Sequence, residues 1–180
     1  NPRGGDPSDD DDSGDDDDAT PVPPELPGYS GAACPTMVEN RTTGWESAGI
    51  QRSFRLLLPD EPQGAPLIFA WHWLGGSADD AVNYMDLQDW ADRGAVVIAP
   101  DSTGLGVEWD IFGGTEDNID LTLFDDLLTC AWEQFGVDTE QVHSTGMSAG
   151  GLWTTFLTMY RAQWHASTAP LSGGTQFGNY

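Results

Sequence analysis

The chain has 180 residues, enough for one domain with a sizeable core and too few for two large ones. Thirty acidic residues stand against six arginines and no lysine, a formal net charge of −24, which excludes the cationic surface that nucleic-acid backbones and anionic membranes require. Nine aspartates and one arginine lie within residues 1–18, so the remaining 21 acidic residues and five arginines make the folded part acidic as well.

Asp9 to Asp12 and Asp15 to Asp18 repel one another and offer no apolar surface to bury. They lack the alternating ligands, central glycine and distal glutamate of an EF-hand loop, so no specific calcium site is read there. Ala19 to Pro27 continues as a proline-rich spacer. Residues 1–30 are therefore predicted to be a disordered linker, with one folded domain over 31–180. No apolar run reaches the roughly 18 residues of a membrane span. The opening Asn1-Pro2-Arg3-Gly4 is not a secretion signal, so a secreted form would be numbered from after its signal. Cys34 and Cys130 are compatible with one disulfide or with two buried thiols, and the residues alone leave both open. No cofactor or metal is expected.

Thr42 to Pro59 alternates as a hairpin whose second strand is 51–58. Pro66 to His72 is apolar almost throughout, as a strand buried on both faces should be. Ser77 to Arg93 has helical periodicity, with Ser77 as N-cap and Asp79 and Asp80 in the first turn. Ala95 to Pro100 is a second short apolar strand, and the glycine-rich 101–114 reads as a long loop. Asn118 to Phe135 is predicted helical, with Leu121, Phe124, Leu128 and Trp132 on one face and a stop at Gly136. A strand at 141–147, a helix at 151–161 and a strand at 165–171 follow. Strand and helix alternate, which implies a mostly parallel sheet with helices on both faces. Ligands of such sheets sit beyond the carboxyl ends of the strands, here marked by His72, Asp101, Ser148 and Ser172.

Gly146-Met147-Ser148-Ala149-Gly150 fits G-x-S-x-G between a strand and a helix, the context in which a serine is pushed out of a strained turn as a nucleophile. The Ala149 backbone N–H is the expected oxyanion donor after Ser148. The loop His72-Trp73-Leu74-Gly75-Gly76 supplies Leu74 N–H as the second. The base is harder to place. His143 and His165 fall at or near the wrong end of their strands, and His72, on the correct edge, is expected to hold the oxyanion loop. Asp101 is expected to cap a turn, and no acidic residue follows Ser148.

Taken in order, Pro66 to Gly76 (PLIFAWHWLGG), Val96 to Asp101 (VVIAPD), Phe124 to Leu128, Phe135 to Asp138, Thr145 to Gly151 (TGMSAGG) and Ala169 to Gly174 resemble the secreted alpha/beta-hydrolase esterases grouped as polyhydroxybutyrate depolymerases and feruloyl esterases. The resemblance covers roughly Cys34 to Gly174. It implies the alpha/beta-hydrolase fold, Ser148 as nucleophile, Leu74 and Ala149 as oxyanion donors, a Cys34–Cys130 disulfide and secretion or placement in the cell envelope. It also implies a substrate that is a polyester, or an ester of a feruloyl or acetyl group on a polysaccharide. At the oxyanion loop, where the family usually carries His-Gly, Trp73 follows His72. The family's acid and histidine lie after two further strands, so the sequence is expected to be the first two thirds of a hydrolase domain, truncated after its sixth strand. The competing expectation is a non-catalytic carbohydrate- or polymer-binding module using Trp73, Trp109 and Trp153. An acidic calcium-dependent surface module would rest on the linker alone.

Overall fold

The computed structural model describes residues 25–174. Residues 1–24 of the linker predicted over 1–30 and the last six residues lie outside them. Strands β1 (Asn40–Ser47) and β2 (Ile50–Leu57) form an antiparallel hairpin. Its two-residue turn places Ala48 at φ 51° and Gly49 at φ 71°, the doubly positive geometry that matches strand twist. Next come β3 (Pro66–Trp71), α1 (Ala78–Tyr84), α2 (Leu87–Asp92), β4 (Val96–Pro100), α3 (Ile119–Phe135), β5 (Asp138–Met147), α4 (Ala149–Tyr160), a 3₁₀ turn and β6 (Ser167–Leu171). The sheet order is β1-β2-β4-β3-β5-β6; β2 runs antiparallel to β4, and β4, β3, β5 and β6 run parallel to one another.

Helices cover both faces. Phe69, Trp71, Val96 and Ile98 pack on one side with Leu121, Phe124 and Leu128 of α3 and Trp153 and Leu157 of α4. Ala70, Val97 and Ala99 pack on the other with Ala78 and Ala81 of α1 and Leu87 and Ala91 of α2. Every residue of β4 is buried, which is why that stretch is apolar without alternation. Parallel pairing then carries the ends of β3, β4, β5 and β6 to one edge.

Four expectations need correction. The helix read over 77–93 is two: Ser77 does cap it, accepting the Asp80 N–H at 3.2 Å, but Asp86 turns left-handed at φ 51°, a conformation aspartate tolerates. Trp132 shares the face of Leu121 by angle, yet lies in the last turn of α3 beside Pro62 and Gln63 and is 48% exposed. Trp109 and Trp153, offered as binding tryptophans, are fully buried. The folded part also begins before residue 31. The Ser30 N–H and hydroxyl both donate to Asp126 of α3 at 2.6 Å, and Leu26 and Tyr29 pack on the core.

Candidate active site

Strand β5, paired on both sides, delivers the chain to the sheet edge, where it reverses in one residue. Ser148 has φ 53° and ψ −113°, a strained backbone for a residue with a side chain, and α4 starts at the next residue. Two bonds hold it there: its N–H donates to Leu171 O, and its carbonyl accepts the Leu152 N–H, both at 2.9 Å. Spatial exclusion accounts for the surrounding glycines. A Cβ on Gly146 would strike the Gly150 carbonyl and come within 2.8 Å of Thr154 Oγ1; on Gly150 it would strike the carbonyls of Trp71 and His72; on Gly151 it would come within 2.5 Å of Leu171 O. The first turn of α4 therefore abuts the end of β3. Ser148 is exposed, while Ala149 is buried and its N–H, first in the helix, has no acceptor among the described residues.

The strand end that Gly150 touches continues into a four-residue turn. The Gly76 N–H donates to Trp73 O at 2.9 Å and Gly75 sits at φ 73°, a type II arrangement that needs glycine at its third position. The Leu74 N–H has no acceptor among the described residues, and its side chain is 62% exposed. Below the turn lies His72. Its Nε2 accepts the Ser102 N–H at 3.1 Å, so the proton is on Nδ1, which donates to Trp73 O at 2.8 Å. The Trp109 indole donates to His72 O at 3.0 Å. Glu108 completes the group, accepting the Gly75 N–H at 2.7 Å and the Ser102 hydroxyl at 2.5 Å. Those two bonds, Ser102's the larger influence, hold its carboxyl below the usual range.

Each histidine is otherwise engaged. His72 uses both ring nitrogens, Nδ1 on Trp73 O and Nε2 on the Ser102 N–H. His143 bonds Ser167 Oγ at 2.8 Å. His165 donates from Nδ1 to Arg161 O, accepts from the Ser144 hydroxyl at 2.9 Å and stacks on Phe124; burial lowers its pKa and keeps it neutral. Asp101 accepts the Ala78 N–H at the start of α1 at 2.7 Å and binds Ser53 and Arg41, so it serves a helix start rather than the turn expected of it. Among the described residues, no histidine or carboxylate bonds the Ser148 hydroxyl. Sequence reasoning missed Ser102 and Glu108 and gave Trp109 a different role, because no local motif ties them to the loop 30 or so residues earlier.

Cys34 and Cys130 form a disulfide, with Cα atoms 5.5 Å apart. No protein-family model matches the chain. It is 31% identical over 132 residues to probable feruloyl esterase C of Aspergillus terreus, covering 68% of this chain and 47% of that protein. Against feruloyl esterase D of Neurospora crassa it is 29% identical over 154 residues, covering 77% and 51%. The chain thus spans about half the length of the curated relatives it matches. Among solved structures, native sOPH superposes with a TM-score of 0.68 at 21% identity, over 78% of this chain and 54% of that one. A ferulic acid esterase superposes at 0.60 and 14% identity, over 74% and 56%. The fold is that of the alpha/beta-hydrolase esterases, and homologues of this chain are feruloyl esterases.

Proposed function

We propose that this chain carries the nucleophile and oxyanion pocket of a serine carboxylic ester hydrolase acting on a polyester or on feruloyl or acetyl esters of a polysaccharide. The observation that carries the reading is the backbone of Ser148, strained at φ 53° and ψ −113° between β5 and α4 with its side chain exposed. In the reaction, Ser148 Oγ attacks the ester carbonyl as its proton passes to a base. The carbonyl oxygen becomes an oxyanion facing the N–H groups of Ala149 and Leu74. Collapse breaks the bond to the alkoxy oxygen, the alcohol leaves with the proton, and water hydrolyses the acyl-serine. The histidine and carboxylate this chemistry needs are to come from outside the described residues. The likeness to feruloyl esterases supports the ester as substrate, and the disulfide supports an oxidising, extracellular or cell-envelope location. The binding-module reading loses two of its three tryptophans, Trp109 and Trp153, to the core.

The test is transfer of acetyl from 4-nitrophenyl acetate to the protein, followed by intact mass, with imidazole added as an external base. Wild type should acquire one acetyl group on Ser148 and Ser148→Ala none. Equal labelling of the two proteins defeats the proposal.

A further inference from the structure

We propose that Glu108 is a positioning residue of the oxyanion pocket: its carboxylate locks the Trp73–Gly76 turn so that the Leu74 N–H stays turned toward the Ser148 side. The inference rests on the esterase reading above. Two peptide planes shape the turn, and the Leu74 N–H belongs to the first of them. The first joins Trp73 to Leu74, and because a trans peptide sets N–H opposite C=O, holding Trp73 O aims the Leu74 N–H the other way. Trp73 O is held by His72 Nδ1–H at 2.8 Å and Gly76 N–H at 2.9 Å. The second plane joins Leu74 to Gly75. Its rotation is what distinguishes a type II turn from a type I turn, and only its own hydrogen bonds resist the flip. That bond is the one from Gly75 N–H to Glu108 Oε1, at 2.7 Å.

The two planes are also joined to each other. Ser102 donates its N–H to His72 Nε2 and its hydroxyl to Glu108 Oε2, closing a ring that runs from Glu108 by hydrogen bond to Gly75, along the chain to Gly76, and by hydrogen bonds through Trp73 O, His72 and Ser102 back to Glu108, so the carboxylate also braces the carbonyl that sets the Leu74 N–H. A carboxylate suits this place because each of its two oxygens meets one donor, and charge-assisted bonds are about twice as strong as neutral ones. The loop keeps Glu108 on station despite a φ of 77°, which is unfavourable for a residue with a side chain. Trp109 is pinned to His72 O, the Asp110 N–H donates to Asp120 at 2.9 Å, and Asn118 Nδ2 donates to Asp110 O at 2.7 Å. Negative charge near a developing oxyanion is unhelpful in itself, so the contribution of Glu108 is geometric, and the uncharged isostere should retain much of it.

The experiment compares wild type, Glu108→Ala, Glu108→Gln and Ser148→Ala in imidazole-assisted acylation by 4-nitrophenyl acetate, alongside amide hydrogen exchange at Gly75. Glu108→Ala should lower the saturating rate by about tenfold or more, a sizeable share of what one oxyanion donor supplies, with little change in the half-saturating ester concentration. Its Gly75 amide should exchange faster. Glu108→Gln should recover most of the rate and the protection. An unchanged rate in Glu108→Ala, or equal losses in both variants accompanied by equal losses of melting temperature, would overturn the inference. Should wild type and Ser148→Ala acylate alike, the esterase reading falls and the brace is judged on the Gly75 amide: faster exchange in Glu108→Ala sustains it as a fixture of the turn, unchanged exchange overturns it.

Discussion

A methyl group on Gly150 would run into the carbonyls of Trp71 and His72, and neither has freedom to move. Trp71 is paired in β3 and wedged edge-on against Trp109 and Trp153, while the His72 carbonyl holds the Trp109 indole. Gly150→Ala must therefore lift the first turn of α4 away from β3, separating the Ala149 N–H from the Leu74 turn. Overpacking of this kind costs about 1–3 kcal/mol. A urea midpoint lowered accordingly, together with loss of Ser148 acylation, is the expected outcome; unchanged stability would mean that the two elements are less tightly apposed. At this scale Ser148, Ala149 and the glycines were legible, because a one-residue reversal imposes its own local sequence. Glu108 was not legible: its partner Gly75 is 33 positions away, and nothing in either neighbourhood names the other.

The segment running from Leu26 to Met37 owes its place to α3. Ser30 is bound to Asp126, Thr129 donates to Pro27 O, the Gln134 side chain donates to Pro35 O at 3.0 Å and accepts the Met37 N–H at 2.9 Å, and Cys34 is bonded to Cys130. These partners are widely separated in sequence, 96 residues in the case of the disulfide, so the cross-link removes much of the freedom of the unfolded chain. Replacing Cys34 and Cys130 by serine should lower stability by about 2–5 kcal/mol, read as a shift in denaturant midpoint. It should leave Ser148 acylation in place, because β5, α4 and the Leu74 turn share no bond with this segment. A midpoint that does not move would show that the hydrogen bonds alone hold the segment. Element boundaries were legible where a cap or a stop is local. Asn118 accepts the Asp120 and Leu121 N–H groups, and Gly136 ends α3 at φ 64°. The break at Asp86 was not, because the periodicity of 77–93 continues across it and packing of α1 and α2 on β4 decides the kink.

Taken whole, the molecule is an excess of negative charge over a well-packed interior. All five arginines within the described residues are paired with aspartates, so the surplus carboxylates have no cationic partners among them. Mutual repulsion should therefore dominate the salt response. Raising sodium chloride from about 0.01 to 1 M shortens the screening length from about 30 to 3 Å and should raise the melting temperature. A fall on adding salt would instead credit the exposed ion pairs with more than the fraction of a kcal/mol such pairs usually contribute. The sequence by itself determined the alternating parallel architecture, the shared edge, the elbow at Ser148 and the absence of nearby acid after it, because hydrophobic period, caps and turn glycines act over a few residues. Tertiary structure alone decided that Trp109 and Trp153 are core, that Ser102 meets His72 beneath Leu74, that Glu108 closes a ring around that loop and that residues 26–30 are docked. Those outcomes depend on which distant groups meet when the strands pair, and pairing distance leaves no mark on local composition.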